Sequence, residues 1–317
     1  MFDTARLDRD ICTIARAGLT AARKTLPPKL LYDVRGVALF DAITRVPEYY
    51  PTRTERALLT RIAPEISALA PVGSALVEYG ASDEAKASLL LDAGAENIFA
   101  YVPIDVAGEA LDDLTERLRD TRPELRVLPV CADFLAPLTL PGEIASMPKL
   151  GFFPGSTIGN FEPAAARDFL AGARRALGDG AWLIVGVDMP KDPDVLVAAY
   201  DDAQGVTASF NLNLLPRLNR EAGANFDVSK FAHRAVWNAS ESRIEMHLVS
   251  ACAQTVTVAG AMVQFAAGET IHTESSYKHS VAAFQALANA AGWQAQRVWT
   301  DDAGLFSIHA LQSGGSS

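Results

Sequence analysis

The chain has 317 residues, 49% of them hydrophobic and 21% charged, an ordinary globular balance with enough length for one large domain or two of average size. Its formal charge of -10 opposes phosphate backbones and anionic lipid, and no block of Lys or Arg offsets it locally, so no nucleic acid and no membrane is expected as a partner. Cys12, Cys131 and Cys252 lie far apart, without CxxC spacing and without a close histidine pair; they argue for a reducing compartment and against a disulfide framework or a zinc site.

The amino-terminal MFDTARLDRDIC carries early acids and no apolar core, unlike a signal peptide. No uncharged apolar run is long enough to span a bilayer. The expectation is a soluble, cytoplasmic protein that binds no metal, with a monomer as the default state.

Residues 1–60 are rich in aromatics and Pro and follow no regular alternation. From Ser74 the pattern alternates strand and helix. A strand over Ser74–Gly80 precedes a helix over Glu84–Ala93, and a strand over Ile98–Asp105 precedes a helix from Ala107 to Arg119. A third strand is placed within Leu125–Phe134 and a fourth at Lys149–Phe153. Next comes a helix over Ala164–Leu177, with Pro163 near its start and Gly178 at its end. A fifth strand spans Trp182–Met189. Alternation of this kind implies right-handed crossovers and a parallel sheet. Pro103 and Pro129 fall inside predicted strands, which are therefore expected to be short or bulged. Near the carboxyl end, a helix over Val281–Ala291 stops at Gly292. Strands over Trp293–Trp299 and Leu305–Leu311 then flank TDDAG as an antiparallel hairpin. Class I methyltransferases finish a parallel sheet in this way, whereas dinucleotide dehydrogenases usually continue in parallel order.

The fold class expected is therefore α/β, a Rossmann-like, mostly parallel sheet with a C-terminal antiparallel hairpin, plus a second α+β domain. Residues 61–194 and 278–317 are assigned to the first. Residues 1–60 and 195–277, with strand-like stretches such as RIEMHLVSA and QTVTVAG, are assigned to the second. Only the terminal SGGSS reads as disordered.

The stretch LGFFPGSTIGNFEP, Leu150–Pro163, runs from a strand through a Gly-rich turn to a helix, which places polar side chains at the carboxyl edge of the sheet, where open α/β folds bind ligands. Gly155 and Gly159 let a ligand approach the backbone, and Ser156, Thr157 and Asn160 offer uncharged donors and acceptors. The plainer reading of Asn160 is a helix N-cap. After the first strand, EYGASDEAK (Glu78–Lys86) is neither a phosphate-binding P-loop nor GxGxxG, and by itself is equally an ordinary strand-to-helix turn. Asp105, at the second strand's end, stands where an acid binds ribose hydroxyls. Asp133 and Phe134, at the third, suit an adenine amino group and ring. Asp is also common in turns.

Taken together, these motifs resemble the S-adenosylmethionine-dependent histidine Nα-methyltransferases of ergothioneine biosynthesis. LPPKLLYDVRGVALFDAITRVPEYYPTRTE, GFFPGSTIGNF, AAYDDAQGVTASFNLNLLPRLNRE, RIEMHL and GETIHTESSYK carry the resemblance over nearly the whole length. It implies that L-histidine binds between the two domains and is methylated on its α-amino group, successively to the trimethylated betaine hercynine, with S-adenosyl-L-homocysteine as coproduct. It implies further that Tyr49, Asn160 and Tyr200 hold the carboxylate and α-amine, and that Tyr32 and the Gly155 backbone lie near the amine. Tyr32, Tyr49 and Asn160 are then the catalytic candidates. Phe40 and Thr207 shape the pocket, Glu274 and Ser276 read the imidazole, and Met246 packs beside it. Read without the family, Glu274 is a solvated acid in a turn, Met246 is core filler, and Tyr49 and Tyr50 form a packed loop.

The cofactor set implied is Glu78, Gly80, Lys86, Asp105, Asp133 and Phe134. One departure stands out: the family commonly has E-x-G-S-G, and here Ala81-Ser82 replaces the last two residues, so a Cβ at that turn strains a positive φ or narrows the approach to the cofactor. A methyl sulfonium needs an aligned, unprotonated amine, so positioning supplies most of the catalysis, without metal or covalent intermediate. The alternatives are methylation of another amino acid or a histidine derivative, and a ligand-binding member of the fold that has lost turnover.

Overall fold

Ser74–Tyr79 is buried along its whole length, as expected of a parallel strand covered on both faces. The computed structural model describes residues 4–81 and 84–314. In chain order its strands are β1 (Lys24–Thr25), β2 (Ser74–Tyr79), β3 (Ile98–Asp105), β4 (Arg126–Val127), β5 (Val130–Cys131), β6 (Lys149–Phe153) and β7 (Trp182–Asp188). There follow β8 (Phe231–Asn238), β9 (Arg243–Ser250), β10 (Gln254–Val258), β11 (Ala261–Phe265), β12 (Thr270–Tyr277), β13 (Trp293–Thr300) and β14 (Phe306–Ser313). The chain divides into two compact units. The first comprises residues to Tyr50 together with Lys191–Tyr277; the second comprises Pro51–Pro190 and the residues from Lys278 on.

In the second unit the sheet order is β13-β14-β7-β6-β2-β3-β4, with β5 also on β3. Neighbours from β7 to β5 are parallel, whereas β14 runs antiparallel to both β7 and β13. This is the class I methyltransferase arrangement, terminal hairpin included. The expected third strand is not continuous: it is two short pieces, β4 and β5, interrupted at Leu128–Pro129. Pro103 of β3 falls opposite that break, between the pairs Tyr101–Val127 and Ile104–Val130. A residue without an N–H therefore sits where no ladder bond is required.

The helix Tyr50–Ser67 places Leu58, Leu59, Ile62 and Ile66 on one stripe, buried against Leu76, Leu90 and Ile184. It runs through the boundary expected at residue 60; the division falls after Tyr50. At the other junction it falls after Pro190, not residue 194. Ser313 of the terminal SGGSS closes β14 and is buried, so the tail was placed too early; Gly315–Ser317 lie outside the described residues.

The first unit holds a four-stranded sheet, β1-β12-β9-β8, and the separate hairpin β10–β11. β9 alternates strictly, with Ile244, Met246, Leu248 and Ser250 buried, the pattern of a strand with one covered face.

Candidate active site

In the second unit β2, β3, β5 and β6 are each followed or ended by a candidate residue at the same sheet edge. β2 is followed by Gly80, whose φ is +78°; its N–H and that of Ala81 both donate to the Ile104 carbonyl, at 2.8 and 3.1 Å. A Cβ added at Gly80 would make only ordinary contact with the Phe134 ring, at 3.7 Å, so it is the positive φ that calls for glycine here. Phe134 itself packs with Tyr79, Phe153, Phe161 and Phe169. Ala81 is buried and is absent from the residues with positive φ. The strain expected at that turn therefore does not arise at Ala81, and Ser82 lies outside the described residues. Glu78 is buried and accepts from the Tyr101 hydroxyl. Asp105 and Asp133 each use one oxygen locally, accepting from the N–H of Ala107 and of Leu135 at 2.9 Å. These are ordinary Asx turns.

Past β6 the backbone takes two consecutive left-handed residues, Gly155 (φ +82°) and Ser156 (φ +55°). The second costs on the order of 1 kcal/mol for a residue with a Cβ. Two anchors hold this turn. The Gly155 N–H donates to both carboxylate oxygens of Glu55, at 2.8 and 2.9 Å, and the Ser156 Oγ accepts from the Asp188 N–H at 2.9 Å. Lys86 reaches the same Glu55 carboxylate at 2.5 Å. Asp188 in turn pairs with Lys278 at 2.8 Å, both side chains fully enclosed. Asn160 ends the short 3-10 helix Thr157–Asn160 and is half-buried. It does not cap the following helix Pro163–Leu177, whose N-cap position is Glu162; the plainer reading of Asn160 is thus corrected.

The first unit gathers the aromatic candidates. Tyr200, the last residue of the helix Pro193–Tyr200, shares a hydrogen bond with Ser276 Oγ at 2.8 Å. Its ring meets Tyr49 edge-on at 6.1 Å, Tyr49 meets Phe40 at 6.4 Å, and Phe40 meets Tyr32 at 5.7 Å. Phe210 closes the row against Tyr32 and Phe40. Met246 and Glu274 are directly opposed on β9 and β12, both buried. Tyr32 keeps 38% of its surface exposed. The protein around its phenol is nevertheless dense enough to push the pKa well up, by burial first and then by the charge of Glu274. Thr207 is buried at the start of the helix Val206–Leu212, its N–H donating to Asp202 at 2.7 Å. Burial would raise the Asp202 carboxyl, but the N–H groups of Thr207 and Val206 hold it below the usual range. Beneath Tyr200, His233 bridges the Tyr200 carbonyl (2.8 Å) and Asn211 (2.9 Å). Burial lowers its pKa, as befits a neutral ring that donates to one and accepts from the other.

Sequence reasoning missed Glu55, Asp188, Lys278, Asp202 and Phe210. Glu55 had a readable signal: it occupies the apolar stripe of its helix, three and four residues before Leu58 and Leu59, where a carboxylate is out of place unless partnered. Among the described residues no group of three His, Cys, Asp or Glu is arranged to hold a metal, and no helix is long and apolar enough to cross a membrane.

A family model described as the histidine-specific, SAM-dependent methyltransferases matches residues 11–313. The chain belongs to that family. It is 44% identical to histidine N-alpha-methyltransferase of Mycolicibacterium smegmatis over 95% of this chain and 93% of that protein. It is 41% identical to the Mycobacterium tuberculosis protein of the same name, over 92% and 91%. Among solved structures, a possible exported protein of Bordetella parapertussis aligns with a TM-score of 0.52 at 13% identity, over 99% of this chain and 100% of that one, a likeness of fold alone. S-adenosylmethionine dependence follows from the family, and the left-handed Gly80 beside the Phe134 ring, with Asp105 and Asp133 after neighbouring strands, fits such a cofactor.

Proposed function

We propose that this chain methylates the α-amino group of L-histidine with S-adenosylmethionine as donor, continuing to the trimethylated betaine hercynine. The observation that carries the choice of substrate is the buried pair of Glu274 and Met246, a carboxylate set against a soft apolar side chain. A flat ring with an N–H on its edge satisfies both: the acid accepts the N–H and the thioether covers the ring. Ser276, tied to Tyr200, supplies a second polar contact for the imidazole.

When bound, the cofactor supplies an electrophilic methyl on a sulfonium. Glu78, Gly80, Lys86, Asp105, Asp133 and Phe134 would hold it. The chain's own groups orient the amine. In the first unit we assign Tyr49 and Tyr200 to the substrate's carboxylate and amine. In the second unit we assign Asn160 and the Gly155 backbone to the same groups. Because its pKa is raised, Tyr32 serves as a neutral phenol, directing the amine's lone pair by hydrogen bonding and not by acting as a phenolate base. Phe40 and Thr207 shape the space around it. Catalysis on this reading is alignment. The enzyme acts as a cytoplasmic monomer, without metal, nucleic acid or membrane.

Calorimetric titration of histidine and of phenylalanine into the protein saturated with S-adenosylhomocysteine tests the substrate assignment. Histidine is expected to bind and phenylalanine to give no heat; equal binding of the two would remove the role given to Glu274.

A further inference from the structure

Glu55 is buried, with 1% of its surface exposed, and its carboxylate is fully committed. Both oxygens accept from the Gly155 N–H, and one also takes the Lys86 ammonium. The fold makes room for it deliberately: a Cβ at Gly186 would lie 2.1 Å from Glu55 Oε1, so β7 carries glycine where the carboxylate passes. Burying an acid this completely costs several kcal/mol unless its partners are well placed. One of those partners opens the strained turn Gly155–Ser156, and the other stands on the helix Ala85–Ala93 that follows Gly80.

We propose that Glu55 is a positioning residue for methyl transfer, fixing the Gly155 peptide of the Pro154–Asn160 loop with a carboxylate whose charge Lys86 balances. A neutral acceptor would make a weaker bond to an N–H, since hydrogen bonds to charged groups are roughly twice as strong. A left-handed glycine followed by a left-handed serine needs that strength to stay in a single arrangement. The loop then presents Gly155, itself exposed, and Asn160 in fixed positions. Lys86 holds the other side of the same carboxylate, so the substrate-facing loop and the cofactor-facing helix share one reference point. The kinetic part of this inference rests on the histidine reading; the structural part does not.

The test compares wild type, Glu55→Asp and Glu55→Gln in two ways: the amide spectrum of nitrogen-15-labelled protein, and kcat and KM for histidine per S-adenosylhomocysteine-binding site. Asp keeps the charge but is one methylene too short to reach Gly155. It is expected to shift the Gly155, Thr157 and Asn160 amides and to lower kcat/KM about tenfold or more. Gln keeps one acceptor for Gly155 and is expected to restore part of both. If Glu55→Asp does not fold, Gly186→Ala displaces the same carboxylate from its other side and gives the same amide shifts. Unmoved loop amides, or unchanged kcat and KM per binding site beside a lowered Tm, would reduce Glu55 to a structural role and overturn the proposal. Were wild type inactive on histidine, the substrate assignment would fail, and the amide shifts would still decide the role of Glu55.

Discussion

Met246 and Glu274 face one another across β9 and β12 only because β12 carries one extra residue. Ile271 pairs with Leu248 and His272 with His247, but the next pair is Glu274 with Met246, leaving Thr273 as a bulge. Thr273 Oγ1 donates to the Met246 carbonyl at 3.0 Å, which pins the irregularity. In a regular strand, Ile271, Thr273 and Ser275 would share the covered face, and Glu274 and Ser276 would point the other way. The bulge exchanges the sets. Glu274 and Ser276 thereby join Met246 and Ile244, while Ser275 and Tyr277 join Glu245 and Arg243.

If that face reads the imidazole, Glu274→Gln keeps size and shape but replaces the charged acceptor. KM for histidine is expected to rise between about tenfold and a hundredfold, with a smaller effect on kcat. Steady-state kinetics on the two proteins checks this; an unchanged KM would leave the acid without a role in recognition.

Tyr32 meets Phe40 and Phe210 edge-on and holds a phenol with a raised pKa. Tyr32→Phe preserves the ring contacts and removes only the hydroxyl. The expected result is a changed ratio of mono-, di- and trimethylated histidine, read by mass spectrometry as turnover proceeds. An unchanged ratio would dissociate the hydroxyl from control of the amine.

His309 is fully buried beside the Phe284 ring and bonded to Ser307, and burial lowers its pKa to about 4. The unfolded chain, with the ordinary histidine value of 6.5, binds the proton first. Stability is therefore complete above about pH 6.5 and is lost as pH falls toward 4, by about 3 kcal/mol for this group alone. His233, His247 and His279 are shifted the same way. His309→Gln is expected to flatten, without abolishing, the fall in Tm between pH 7.5 and 5.0; an identical fall would place the acid sensitivity elsewhere.

The enclosed pair of Asp188 and Lys278 gives a prediction about stability. Lys278→Met removes the ammonium that faces a buried carboxylate and is expected to cost about 3–5 kcal/mol. Asp188→Asn combined with Lys278→Met removes both charges and should recover more than half of that loss. Urea denaturation of the three proteins decides; a double variant as unstable as the single one would mean that the pair acts through something other than charge compensation.

Much of the second unit was legible because its signals are local. Period, glycine and proline place β2, β3, β6 and the hairpin within a residue or two. The broken third strand was foreshadowed by Pro129. The sheet-edge candidates followed from strand ends, since every parallel strand delivers its last residue to one side. Other features depend on partners distant in sequence. Glu55 meets Gly155 a hundred positions away, and Asp188 meets Lys278 ninety residues later. The bulge at Thr273 is invisible in a stretch whose side chains alternate no more clearly than a turn would. Without the family, Glu274 reads as a solvated acid; its burial is set by strand register, which composition does not encode.

Whether histidine is the methyl acceptor is decided by turnover on the free amino acids. Purified protein and S-adenosylmethionine would be incubated separately with each of the twenty amino acids, and products scored by mass spectrometry for added methyl groups. Histidine is expected to gain one, two and finally three methyl groups, and the others none. Methylation of a different amino acid with histidine untouched would contradict it.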